Sequence, residues 1–171
     1  MLNIVREDIT TLQVDAIVNA ANGVGIMGSG VAGAIRRAGG PEVDKEAREA
    51  CRTMMPDGSA YFTTAGDLDA SYIIHAVTMM YPGTSYRGYE HEGMEIISSA
   101  LLSSIKLARS LGVKSIAFPA LGTGVGGLSK KDVAIKMVNI LQQYKDDFDI
   151  TICDVSSEFV QVAQEYYENK H

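Results

Sequence analysis

Apolar residues along the chain fall into short compact runs separated by longer stretches with helical spacing. Leu2-Asn3-Ile4-Val5, Asp15-Ala16-Ile17-Val18, Tyr61 to Ala65, Tyr72 to Val77, Ser115-Ile116-Ala117-Phe118 and Phe148 to Cys153 read as strands. The Ala16-Ile17-Val18 run has no polar break, the pattern of a strand covered on both faces. Val31 to Ala38 reads as a helix stopped by Gly39-Gly40, and Pro41 opens the next one at its first turn. Val43, Ala47, Ala50, Cys51 and Met54 line one side of that next helix. Ile96 to Leu111 is an amphipathic helix closed by Gly112, Ser129 caps a helix through Tyr144, and Ser156 or Ser157 caps a last one. The stretch Met79 to Gly93, with Pro82, reads as a surface loop. Strands alternating with helices predict an α/β fold with a sandwiched sheet. Right-handed crossovers then bring the loops after the second and fifth strands to one edge of that sheet.

Those two loops are where the glycines gather. The chain has 17 glycines in 171 residues, about 10% against a usual ~7%. Gly23, Gly25, Gly28, Gly30 and Gly33 follow the second strand; Gly122, Gly124, Gly126 and Gly127 follow the fifth. A glycine-rich loop running from a buried strand into a helix N-terminus offers free backbone N–H groups, which suits a phosphate-bearing ligand. Charge narrows the partner. Fifteen Lys and Arg against 21 Asp and Glu give a net charge of −6 and a pI near 5.0. Non-specific nucleic-acid or anionic-membrane binding needs clustered positive charge, so neither is expected. Cys51 and Cys153, the two cysteines, form no zinc or disulfide spacing, and neither a metal nor a cofactor is implied. No signal core or spanning segment is visible, so a cytoplasmic protein with one domain over residues 1–171 is expected.

Two phosphate motifs can be weighed against these loops. Gly23 to Gly28 and Gly28 to Gly33 both match GxGxxG, but a dinucleotide site needs a following strand ending in an acidic residue. Gly39 to Arg52 is polar and helical instead. A Walker-type loop at Gly122 to Ser129 fails because Leu128, not lysine, follows Gly127.

A more extensive match runs from about residue 2 to 168. Asp8-Ile9-Thr10, DAIVNAAN at Asp15 to Asn22, GSGVAGAI at Gly28 to Ile35, YIIHAV at Tyr72 to Val77 and SIAFPALGTGVGG at Ser115 to Gly127 occur in this order. The chain thereby resembles the macro domains. The resemblance implies a three-layer α/β/α sandwich around a mixed sheet of about six strands, with ADP-ribose in a cleft across its top. It implies that Gly28, Ser29, Gly30 and Val31 and, opposite them, Gly122, Thr123, Gly124 and Val125 clamp the diphosphate. It places Asp8 on the adenine amino group, with Ile9 supplying a backbone N–H, and Cys153 where other members stack an aromatic on adenine. Asn22 would bond the distal ribose and position a water, while Asn19 ties the loop together. An acidic protein can hold a diphosphate in this way because the donors are backbone amides, each bond contributing about 1.5–3 kcal/mol.

Each residue also has a plainer reading. Asp8 could cap the turn before Thr11, Asn22 could be a turn residue, His75 a hydrogen-bonded core histidine, and Cys51 packing. The chain also departs from the family's hydrolases. Ala32 stands where one branch has an aspartate, Ser29 and Gly126 where another has a lysine and an aspartate, and Gly126 where many members place an aromatic over the distal ribose. Phe159, Tyr86 and Tyr89 are the aromatics that could compensate. Two functions follow from the resemblance: hydrolysis of a mono-ADP-ribosylated protein or of O-acetyl-ADP-ribose, using a water held by Asn22 and a substrate phosphate, or recognition of ADP-ribose without chemistry.

Overall fold

The computed structural model describes residues 1–170. Strands β1 (Leu2–Arg6), β2 (Ala16–Asn22), β3 (Ala60–Thr64), β4 (Tyr72–Met79), β5 (Ser115–Phe118) and β6 (Asp149–Asp154) form one sheet, ordered β1-β6-β5-β2-β4-β3. Every neighbouring pair is parallel except β3 with β4, so the sheet is mixed. The helices are α1 (Gly30–Gly39), α2 (Pro41–Ala50), α3 (Glu90–Leu111), α4 (Lys130–Leu141) and α5 (Ser157–Lys170).

Alternation along the strands sorts the helices into layers. Val18, Ile74, Ala76, Ile116, Phe118, Ile150 and Ile152 pack with α3, α4 and α5 in one core. Ile17, Ile73, Val77, Ala117 and Cys153 point the other way and pack with α1 and α2. The result is the expected α/β/α sandwich. Phe118 and Phe159 have no exposed surface, so truncating either to alanine costs about 3–5 kcal/mol.

Two boundaries differ from the sequence pattern for tertiary reasons. β2 continues past Val18 to Asn22 because its β4 side stays paired, with Asn19 opposite His75 and Ala20 opposite Ala76. α3 begins at Glu90 rather than Ile96, its first turn carrying Glu90 and Glu92, which favour a helix N-terminus. Gly93 inside it is a packing requirement: a Cβ there would lie 2.7 Å from Cγ of Tyr86.

On its β5 side β2 is paired only at Ala16 and Ile17. Beyond Ile17 the two strands part. The chain after β2 goes to α1 in one layer and the chain after β5 goes to α4 in the other. Adjacent parallel strands whose connections leave to opposite faces open a crevice at their carboxyl ends.

Candidate functional site

A cavity of about 210 Å³ fills that crevice. Asn22, Ile26, Gly28 and Ser29 of the first loop line one wall, and Gly122, Gly124, Val125 and Gly126 of the second loop line the other. Gly30, Val31 and Ala32 of the first turn of α1, with Ala20, Ala21, Thr78 and Met79 from the strand ends, form its base, and Pro82 and Gly83 approach from the segment after β4. None of these lining residues has an ionisable side chain.

The first loop is held by Asn22. Its Oδ1 accepts from the Val24 and Ile26 N–H groups at 3.1 and 3.2 Å, and its Nδ2 donates to the Ile26 carbonyl at 2.7 Å. One Nδ2 hydrogen is left over. Gly23 and Gly25 serve packing: a Cβ would meet the Met55 carbonyl oxygen at 2.2 Å or the Ala47 carbonyl oxygen at 2.5 Å. Ser29, the N-cap of α1, is extended and its side chain makes no capping bond. The first-turn N–H groups therefore remain available to the cavity.

The second loop is pinned by backbone bonds, Leu128 N–H to the Gly122 carbonyl and Gly127 N–H to the Gly124 carbonyl, both at 3.0 Å. Gly122 takes φ +75°, a left-handed conformation open to glycine. At Gly126 a Cβ would sit 2.7 Å from the Gly122 carbonyl oxygen and 3.2 Å from the Tyr86 ring, so this backbone has no room for an aromatic side chain there. Thr123 is half-buried in the same loop but does not line the cavity.

A second cavity of about 260 Å³ adjoins the first through Gly30 and Val31, which line both. Asp8, Ile9, Ala34, Pro119, Cys153, Asp154 and Val155 complete it. Asp8 does two things here. Its Oδ1 caps the short 3-10 turn Ile9–Thr11, accepting from the Thr10 N–H at 2.9 Å and the Thr10 hydroxyl at 2.8 Å, and Oδ2 takes no hydrogen bond. The Ile9 side chain is buried beneath. Burial, and then the Asp154, Asp8 and Glu7 carboxylates, push the Cys153 thiol up to about 12, so it stays neutral and inert toward electrophiles.

A buried polar relay crosses β2, β4 and β3. The Asn19 Nδ2 donates to Nδ1 of His75 at 3.1 Å, which leaves the proton on Nε2 to donate to the Thr63 hydroxyl at 2.9 Å; Thr63 donates on to the Thr64 carbonyl at 3.0 Å. Tyr61 stacks on the ring at 4.5 Å. Burial lowers the His75 pKa to about 3, so it is a neutral core residue and no acid–base group. Cys51 packs in the same layer. Of the aromatics, Phe159 is buried in the opposite core, Tyr86 is buried behind Gly126 and Tyr89 is exposed at the start of α3, so none of the three lines either cavity.

Sequence reasoning missed Ile26, Thr78, Met79, Pro82, Gly83, Ala34, Pro119 and Val155 as lining residues. Ala34 and Pro119 lie inside quoted motifs, one helical turn after Val31 and directly after β5. The others carry no local signal. Among the described residues no three His, Cys, Asp or Glu side chains gather as a metal site, and no helix is long and apolar enough to cross a membrane.

A family model described as Macro domain matches residues 18–137. The chain belongs to the macro domain family. An O-acetyl-ADP-ribose deacetylase of Citrobacter rodentium is 42% identical over 149 residues, covering 84% of this chain and 79% of that one. A macro domain-containing protein of Listeria monocytogenes is 38% identical over 157 residues, 90% of this chain and 86% of its own. Among solved structures, a variant of the Oceanobacillus iheyensis macrodomain with ADPR superposes with a TM-score of 0.86 at 26% identity, covering 96% of this chain and 90% of that one. As a macro domain, the chain keeps both glycine loops while lacking an acid at Ala32 and an aromatic at Gly126.

Proposed function

We propose that the two joined cavities bind one molecule of ADP-ribose and that the protein hydrolyses an ADP-ribose derivative. The observation that carries this reading is the shared wall: Gly30 and Val31, at the N-terminus of α1, line both cavities. A diphosphate at this wall receives first-turn N–H groups on one side and the second loop on the other. Adenine then occupies the second cavity, with its amino group donating to the free Oδ2 of Asp8 and its ring against Ile9 and Cys153. The distal ribose occupies the first cavity, beside the remaining N–H of Asn22. The ADPR seen in the Oceanobacillus relative and the name of the Citrobacter one support this assignment.

For a mono-ADP-ribosylated carboxylate, a water beside the distal ribose attacks the anomeric carbon. The bond to the protein carboxylate breaks, and a substrate phosphate oxygen takes the proton from the water. With no ionisable side chain in the first cavity, the protein itself supplies no general base, and the roughly 10²–10⁴-fold help such a base gives is forgone. Asn22 acts here as a positioning residue, since its Oδ1 is already taken by two loop amides. A second reading, recognition of ADP-ribose without turnover, is favoured by Ala32, which lines the cavity at the position where a hydrolase branch has its acid. The same reading takes residues 1–171 as one functional unit working in the cytoplasm, where Cys51 and Cys153 stay reduced.

Calorimetry with ADP-ribose and AMP tests the binding; no heat with ADP-ribose at high micromolar protein would remove the assignment. Turnover is read as ADP-ribose released from a mono-ADP-ribosylated carboxylate protein and from O-acetyl-ADP-ribose. Asn22→Ala is expected to lower kcat more than it raises KM. Intact substrate at saturating protein leaves recognition as the function.

A further inference from the structure

The mouth of the first cavity combines backbone donors with apolar side chains. Three separate segments each place one apolar side chain there: Ile26 from the first loop, Val125 from the second, and Pro82 from the segment after β4. Ile26 is 44% exposed and Val125 59% exposed, so a water-facing apolar collar surrounds the end of the groove where the distal ribose carries its substituent. The space between them is open. A Cβ at Gly83 or Gly124 would meet nothing within 4 Å, and at Gly28 its nearest neighbour, at 3.9 Å, is the Ile26 side chain. No charged side chain lines this cavity to pair with a peptide's ionised groups.

Resting on the ADP-ribose reading above, we infer that this collar selects O-acyl-ADP-ribose esters whose acyl chain is longer than acetyl. The acyl tail of an ester on the distal ribose leaves water for Ile26, Val125 and Pro82, and each added methylene gains affinity by about twofold when half-buried and about fourfold when fully buried. In the hydrolysis, water adds to the ester carbonyl carbon and the bond from that carbon to the ribose oxygen breaks. The leaving ribose oxygen takes up the proton that the attacking water gives up, and the products are ADP-ribose and the fatty acid.

The test compares O-acetyl- and O-butyryl-ADP-ribose as kcat/KM from initial rates of ADP-ribose release, and as dissociation constants by competition with ADP-ribose if release is too slow to measure. The butyryl ester is expected to be favoured by about fourfold or more, and Ile26→Asp and Val125→Asp are each expected to reduce that ratio to about one. Ile26→Ala, which adds no charge, gives an intermediate ratio and guards against a variant that fails to fold, as read by thermal melting. Equal or poorer use of the butyryl ester overturns the inference, as does a preference that both aspartate variants retain. Faster turnover of a mono-ADP-ribosylated protein than of either ester would assign the collar to peptide instead and also overturn it. These results leave ADP-ribose binding standing; absence of heat with ADP-ribose alone removes the binding reading and this inference with it.

Discussion

Around the first cavity the polar groups are backbone amides, the Ser29 and Thr78 hydroxyls and the Asn22 amide, whereas the second cavity brings the Asp8 and Asp154 carboxylates and a neutral thiol to the same groove. The difference matches what each end has to hold. A diphosphate is anionic, and carboxylates beside it would repel it; backbone N–H groups at a helix terminus attract it without adding any ionisable group. A base edge is neutral and needs a directed acceptor, which Asp8 offers through an oxygen left free while its partner oxygen caps a turn. An acidic protein can therefore bind an anion if its negative side chains are kept out of one half of the groove.

The largest expected effect concerns the buried histidine of β4. His75 has its pKa lowered from 6.5 to about 3 by burial. The unfolded chain takes up a proton near pH 6.5 and the native ring does not until about pH 3. Stability is thus complete above pH 6.5 and falls by about 1.4 kcal/mol per pH unit as pH drops through that window. Urea melts at pH 7, 6, 5 and 4 check this; a stability independent of pH across that range would mean His75 is charged in the fold. Next comes the second cavity. Asp8→Ala is expected to weaken ADP-ribose and AMP alike by about 1.5–3 kcal/mol and to cost about 0.5–2 kcal/mol of stability through the lost cap. Calorimetry and melting separate the two, and an unchanged affinity would reduce Asp8 to its capping role. In the first cavity, Gly126→Ala pushes a methyl against the Gly122 carbonyl, which should cost about 1–3 kcal/mol of stability and displace the second loop. It should appear as weaker binding of ADP-ribose and little change with AMP; equal loss for both ligands would blur the division between the two halves. The smallest effect is Tyr86→Phe. The Tyr86 hydroxyl is buried without a partner, so its removal should leave the melting midpoint unchanged or raise it by up to about 1 kcal/mol of stability. A clear loss in the melt would reveal a bond to that oxygen.

Much of this was legible along the chain because it is local. The compact apolar run of Tyr72 to Val77, the Gly39-Gly40-Pro41 break and the Ser129 cap each act within a few residues, and the structure has a strand, a helix boundary and a helix N-cap at those places. The DAIVNAAN and FPALGTG motifs pointed to the family. The lining contributed by Thr78, Met79, Pro82 and Gly83 was not legible, since nothing in the composition of that segment says which way it folds.

The sequence by itself determined the alternation of strands and helices, the two glycine loops and the absence of an acid at position 32. Periodicity, capping and backbone permissiveness are properties of neighbouring residues, so they can be read without the fold. Only the tertiary structure decided that β2 and β5 separate after Ile17, that Asn22 spends its oxygen on its own loop, that Gly126 is closed to any side chain by Gly122 and Tyr86, and that Asp8 keeps one oxygen free beside a buried Cys153. Most of these depend on atoms brought together from segments far apart in the chain, and even where the partners are near in sequence it is the packed fold that holds them in register.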